Sequence, residues 1–333
     1  MTTHAQHHAV SANLTGVVEA ASRPQPGPIA VIPPTESFIR AARAEGAEVA
    51  PLSDATRAII WLTNDGSAEL GRLLQRFPAV EWIQLPFAGV DQFATLLKNR
   101  SVHPLPLWTS AKGAYAQPVA EHALTLVLAL LRVLPARVRA TSWATGVKRG
   151  TSLFGLSIVI IGAGGIAIEL IRLLAPFGVR ITIVRRTDVA LPSAQLTVGA
   201  ERLADVLPDA DVVIIAAAAT RETSRMIGAA ELALMKNTAV LVNIARGSLI
   251  DTDALATALA SGALAGAGLD VTSPEPLPDG HPLWSEPNVI ITPHCADTPS
   301  MTAPLLAERI RQNVQAFLGD GRFVGVVDTH AGY

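Results

Sequence analysis

The run Ile158-Val-Ile-Ile161 passes directly into Gly162-Ala-Gly164-Gly165-Ile166-Ala167 and then into the helical pattern of residues 168–174. A β-branched strand that turns at once into a helix leaves few folds open. Gly162 permits the tight turn, Gly164 lets backbone N–H groups approach a bound anion, and the small Ala167 lets the helix pack closely on the strand. The letters alone are a turn in an alanine-rich chain. With a strand before and a helix after, they read as a pyrophosphate cradle, with Gly162, Gly164, Gly165 and Ile166 as candidate cofactor contacts.

Further short apolar runs lie near 180–184, 212–216, 239–243, 266–269 and 289–292. Counted with 157–161 they make six strands with helical patterns between them, which predicts a doubly wound parallel sheet. The first third repeats the alternation, with strands expected at 28–32, 58–62, 80–85 and 105–108 and helices at 36–45, 67–77 and 91–98. A long helix is expected to begin at Pro118 and to end before Pro135. It is apolar nearly all round, so it must be buried in its own domain or against a second subunit, and a homodimer is expected. The last helix is expected over 302–318, followed by a strand-like run at 323–327.

A chain of 333 residues suits two domains. Its net charge of −2 comes with no dense Lys/Arg run, which argues against a nucleic-acid partner. Hydrophobic residues make up 50%, yet the longest apolar stretches stop at Arg132 and Glu169, short of the roughly 18 residues that a membrane span needs. The lone Cys295 cannot form an internal disulfide, so a cytoplasmic protein is expected, and the thiol itself reads as a small buried residue. The polar residues 1–25 carry His4, His7 and His8 but no signal-peptide core; they read as a tail, with no metal site expected.

The strand after the glycine loop selects the cofactor. An NAD site usually ends that strand with an acidic residue that accepts from the ribose hydroxyls. Here it ends in Arg185-Arg186-Thr187, and two guanidinium groups suit a 2′-phosphate. NADP is therefore preferred, with NAD as the alternative should the strand run on to Asp188.

Three further segments follow in order: Val242-Asn-Ile-Ala-Arg-Gly-Ser-Leu-Ile-Asp251, Gly268-Leu-Asp-Val-Thr-Ser-Pro-Glu-Pro-Leu-Pro278 and Ile291-Thr-Pro-His-Cys-Ala296. They resemble the arginine, glutamate and histidine motifs of the D-isomer-specific 2-hydroxyacid dehydrogenases. The chemistry of a 2-oxo acid calls for these residue types. A guanidinium can fork onto the substrate and polarise its ketone, which suits Arg246. A group titrating near neutrality must supply the proton that follows hydride, which suits His294, and Glu275 would orient that imidazole.

The resemblance implies more. Asp270 would meet the nicotinamide carboxamide with Ala245 nearby, and Thr223 would line the cofactor. Ala88, Gly89 and Val90, in a strand-to-helix turn, would offer N–H groups to the substrate carboxylate. It also implies a Rossmann domain over 110–296 inserted into a flavodoxin-like substrate domain made of 1–109 and 297–333. A D-specific reductase of a small 2-oxo acid such as glyoxylate or hydroxypyruvate is expected. Two rivals share the fold: a nucleotide-sensing corepressor, and a formate dehydrogenase, which would carry glutamine where Glu275 stands. The chain departs from the family at Ala218-Ala219-Thr220, where Pro-Leu-Thr is common, so that loop is expected to be less rigid.

Overall fold

A computed structural model describes residues 23–63, 65–99, 106–143, 149–319 and 321–329, and the histidines of the N-terminal tail lie outside them. The described chain forms two compact units, one running up to Tyr115 and resuming at Thr298, the other Ala116–Asp297.

The first unit is built on β1 (Ile29–Ile32), β2 (Ala58–Trp61), β3 (Trp82–Gln84) and β4 (Leu107–Thr109), all parallel and adjacent in that order. Val49 makes a parallel bridge to Ile29 on the other side of β1, which places an extra extended segment at that edge. Helices α1 (Glu36–Ala44), α2 (Ser67–Arg76) and α3 (Ala94–Asn99) connect the strands. The helix expected over 91–98 is divided, a 3-10 turn at Asp91–Phe93 leading into α3. Every residue of β2 and β3 is buried, the pattern of a parallel sheet covered on both faces.

The C-terminal helix, Pro299–Leu318, returns to this unit and places Phe317 5.1 Å from Trp82, ring centre to ring centre. It begins three residues before the expected Thr302, because Pro299 itself occupies the first turn, where a missing N–H costs nothing. Pro304 then falls inside the helix on an exposed face, where water can satisfy the carbonyl left without its donor. The strand-like run forms an antiparallel bridge between Val326 and Thr109. Asn313 staples it down, accepting from Val324 N at 2.7 Å and donating to Gln84 Oε1 at 2.7 Å.

The second unit carries seven parallel strands: β5 (Ser157–Ile161), β6 (Arg180–Arg185), β7 (Leu196–Gly199), β8 (Val212–Ile215), β9 (Val240–Asn243), β10 (Gly266–Leu269) and β11 (Val289–Ile291). Their order is β11-β10-β9-β8-β5-β6-β7. The sheet is thus doubly wound, and its winding reverses between β5 and β8, where such sheets open a crevice at their carboxyl ends. The sequence predicts six of these strands. It misses β7, a four-residue edge strand with only Val198 and Gly199 buried, too short to show an alternating pattern.

Helix α4 (Ala116–Leu131) starts two residues before Pro118, which sits in the first turn, where backbone N–H groups have no intrahelical acceptor. It stops at Leu131, Val133 turns left-handed (φ 51°), and Pro135 enters the first turn of the short α5 (Leu134–Val138). Val119, Ala123, Leu126, Val127 and Leu130 are buried. A Cβ built on Gly268 would meet Leu126 at 3.1 Å and Leu130 at 3.3 Å, so α4 lies close on β10. Most of its apolar surface is therefore covered within its own unit. Helices α6 (Gly165–Leu174), α7 (Leu203–Val206), α8 (Ala229–Leu234) and α9 (Thr252–Ala260) complete the layers.

Two glycines with positive φ separate backbone strain from crowding. Gly46 (φ 86°) has open space where a Cβ would stand, whereas at Gly325 (φ 71°) a Cβ would run into the Ser110 carbonyl and the buried Arg309 guanidinium. Gly46→Ala should cost about 1–2 kcal/mol from the left-handed conformation alone, and Gly325→Ala clearly more. Urea denaturation of the two variants checks the order; equal losses would mean that the C-terminal segment yields without resistance.

Candidate active site

The glycine loop sits at the carboxyl end of β5. Gly162 has φ 115°, and a Cβ there would overlap the Ala216 carbonyl at the end of β8, so no other residue fits the crossing. Gly164 is the N-cap of α6 and faces open space. The N–H groups of Gly165 and Ile166 stand at the positive end of that helix, where an anion is favoured. Ala167 is fully buried against the sheet.

Strand β6 ends at Arg185, so Asp188 lies three residues beyond the sheet, exposed in the following loop. Arg185 is half-buried and donates to the Val189 carbonyl at 3.2 Å, while Arg186 is exposed. Beyond β8, Thr223 ties down the loop that lacks the family's proline. Its hydroxyl accepts from Thr220 N at 2.8 Å and donates to Ala218 O at 2.9 Å, and Thr223 N donates back to Thr220 Oγ1 at 3.3 Å. Side-chain hydrogen bonds take over part of the restraint that a proline ring would supply.

At the end of β9 the buried Asn243 shapes the turn that presents Arg246. Its amide donates to Arg246 O at 2.9 Å and its oxygen accepts from Ala245 N at 3.1 Å. The next residue must be glycine, because a Cβ on Gly247 would collide with the Thr272 carbonyl. The arginine turn and the chain after β10 are thereby pressed together. Arg246 is half-buried and reaches the Ala245 carbonyl at 2.8 Å.

His294 Nδ1 lies 2.7 Å from Glu275 Oε1, and the two side chains are 50% and 42% exposed, open enough to meet a ligand. The imidazole sits on a left-handed residue (φ 49°), an uncommon conformation held by the buried Asp270 directly after β10. Asp270 O accepts from His294 N at 2.8 Å, Oδ1 from Cys295 N at 2.9 Å and from Thr292 Oγ1 at 2.6 Å, and Oδ2 from Ala296 N at 3.1 Å. The carboxylate expected to face a nicotinamide is thus also the anchor of the histidine loop. Asn243, Thr292 and His122 of α4, whose Nε2 lies 3.0 Å from Thr292 Oγ1, are site residues that the sequence reading did not single out.

Cys295 is exposed, contrary to the expectation of a buried thiol. The left-handed step at His294 turns the following side chain outward while its N–H stays on Asp270. Partial burial and the negative Asp270 push its pKa upward, away from the reactive thiolate. Asp297 is likewise raised, mainly by burial and further by Asp270, with His294 pulling the other way. Among the described residues no group of three or more His, Cys, Asp or Glu could hold a metal ion.

The turn after β3 belongs to the first unit. Tyr115 donates its hydroxyl to Pro86 O at 2.5 Å, and Ala111 N donates to Phe87 O at 3.0 Å, fixing the entry. Ala88 is exposed, Gly89 half-buried and Val90 buried as the residue before the 3-10 turn.

Residues 124–296 match the D-isomer specific 2-hydroxyacid dehydrogenase NAD binding domain. An uncharacterised protein in the proB 3′ region of Corynebacterium melassecola is 37% identical over 76% of this chain and 84% of its own length. A glyoxylate reductase of Thermococcus gammatolerans is 36% identical over 63% of this chain, and the match spans 65% of that enzyme's length. Among solved structures, a D-isomer specific 2-hydroxyacid dehydrogenase from Xanthobacter autotrophicus Py2, in complex with NADPH and MES, superposes with a TM-score of 0.74 at 28% identity, covering 92% of this chain and all of that one. With the doubly wound nucleotide domain and the arginine, glutamate and histidine in the family's order, the chain belongs to the D-isomer specific 2-hydroxyacid dehydrogenase family.

Proposed function

We propose that the protein reduces a small 2-oxo acid to the D-2-hydroxy acid with NADPH, accepting NADH less well. The observation that carries this reading is the His294–Glu275 pair at 2.7 Å, in the same unit as the arginine turn after β9. Glyoxylate and hydroxypyruvate are the first substrates to test, and the glyoxylate reductase relatives support the choice.

Each residue has a task that its chemistry fits. Arg246 binds the substrate carboxylate and polarises the ketone. By the family resemblance, the N–H groups of Ala88, Gly89 and Val90 would also receive the substrate carboxylate. When bound, the dinucleotide supplies hydride to the 2-oxo carbon; Gly162, Gly164, Gly165 and Ile166 would hold its pyrophosphate, with Thr223, Ala245 and Asp270 around it. As charge develops on the ketone oxygen, His294 gives it the proton from Nε2, and Glu275 at Nδ1 stabilises the imidazolium beforehand and keeps the ring aligned. In the reverse direction neutral His294 takes that proton back.

The end of β6 supports the cofactor preference. The strand closes on an arginine, a second arginine follows, and the next acidic residue along the chain, Asp188, lies three residues past the strand. A 2′-phosphate would find two guanidinium groups there, whereas an NAD ribose would lack its usual acceptor. A homodimer, expected from the apolar faces of α4, is part of the reading, and sedimentation velocity tests it.

His294→Ala should lower kcat by about 10²–10⁴-fold in a 2-oxo acid assay while leaving NADPH binding within about threefold. Turnover at the wild-type rate would remove His294 from the mechanism. Cofactor binding without turnover of any 2-oxo acid by the wild-type protein would instead favour a nucleotide-sensing role.

Arg185→Ala combined with Arg186→Ala should raise the KM for NADPH at least tenfold, each lost charge-assisted contact being worth about 1.5–3 kcal/mol, and change that for NADH little. Steady-state kinetics with both cofactors check this. Parallel losses would mean that the pair does not read the 2′-phosphate.

A further inference from the structure

His122 stands on α4, 170 residues before its partner Thr292, and belongs to none of the three motifs. Its Nε2 lies 3.0 Å from Thr292 Oγ1 and 3.5 Å from Asp270 Oδ1, and its side chain is 20% exposed. The direction of these contacts follows from the hydrogens available. Thr292 has one hydroxyl proton, and at 2.6 Å that proton goes to Asp270 Oδ1. The hydroxyl can then only accept from His122. An imidazole Nε2 without a proton would set its lone pair against the hydroxyl oxygen and a carboxylate, so the ring carries hydrogen on Nε2.

A relay results, His122 Nε2–H to Thr292 O–H to Asp270. Asp270 in turn holds the backbone at His294 and directly after it, through His294 N, Cys295 N and Ala296 N. That backbone is in the left-handed conformation at His294, which a residue with a side chain adopts only when its surroundings hold it there.

We propose that His122 is a positioning residue for His294: by donating Nε2–H to Thr292 it fixes the Asp270 carboxylate from which the proton-donor loop hangs. The inference rests on the reading of His294 as proton donor. His122 acts on the His294 backbone through three successive hydrogen bonds, by way of Thr292 and Asp270. Losing the donor leaves Thr292 free to turn its hydroxyl from the carboxylate, and Asp270 then loses the shortest of its side-chain contacts.

Two variants separate hydrogen bonding from shape. His122→Leu fills similar volume without a donor, whereas His122→Gln places an amide N–H near the position of Nε2. In the full-length protein, His122→Leu should lower kcat about tenfold with the KM for the 2-oxo acid and the Kd for NADPH changed less than about threefold, and His122→Gln should restore most of the loss. Wild-type kcat in His122→Leu overturns the proposal, and so does an equal loss in both variants, which would make the ring's shape the cause. Should the wild-type protein reduce no 2-oxo acid, the function proposed above fails, and the relay is read instead from the imidazole C–H resonances of His294. Those should shift in His122→Leu and return in His122→Gln; unshifted resonances overturn the relay on their own.

Discussion

Asp270 is only 2% exposed, and burying an ionised carboxylate costs several kcal/mol unless donors replace the water it loses. The donors here are the Thr292 hydroxyl and the N–H groups of Cys295 and Ala296, with His122 close by. Most of them come from one loop, so meeting the needs of the charge and shaping that loop are a single event. The parallel register of β10 and β11 makes this possible: Leu269 stands opposite Ile291, so the residue after each strand emerges beside the other. Removing the carboxylate would leave the N–H groups of Cys295 and Ala296 without these acceptors, and the left-handed His294 would be held only through its own N–H on the Asp270 and Thr292 carbonyls.

A second constraint ties the arginine to the same place. Gly247 lies so close to the Thr272 carbonyl that a single methyl group cannot be inserted, and Asp270 N donates to Asn243 O at 3.0 Å. The turn after β9 and the chain after β10 are thus locked at two points, with Arg246 on one and the approach to Glu275 on the other. The three candidate side chains follow the carboxyl ends of three neighbouring strands, and backbone contacts set the chain around them while His294 and Glu275 also meet each other at 2.7 Å. Such an arrangement can be aligned before any substrate arrives, which is the condition for electrostatic stabilisation without reorganisation at the moment of reaction.

Much of this was legible in the sequence because the chemistry stands in short contiguous runs. The strand–glycine–helix passage around Gly162, the order of Arg246, Glu275 and His294, and the arginines closing β6 are each local patterns. What was illegible depends on distance or on small differences in length. His122 meets Thr292 only because α4 folds across the end of the sheet, and nothing near His122 in the chain announces it. Strand β7 is too short and too exposed for periodicity to find it. Pro118 misplaces a helix start, because a proline anywhere in the first turn is tolerated and so marks a region rather than a residue. Cys295 reads as buried because free cysteines usually are; the left-handed His294 turns it outward, and that is a tertiary fact.

The half-exposed state of the His294–Glu275 pair bears on how the site works. In contact with water, a histidine and a carboxylate at 2.7 Å interact through a high effective dielectric, and their attraction is modest. A nicotinamide ring and a small acid seated over the imidazole would displace that water and lower the local dielectric, strengthening the same contact without moving an atom. The chain supplies the geometry through Asp270, and the ligands supply the dry surroundings that give the geometry its force. The anchor is buried and the pair is not: on the proposed reading, the part that must never change is sealed inside the protein, and the part that would meet substrate is left open to be covered by it.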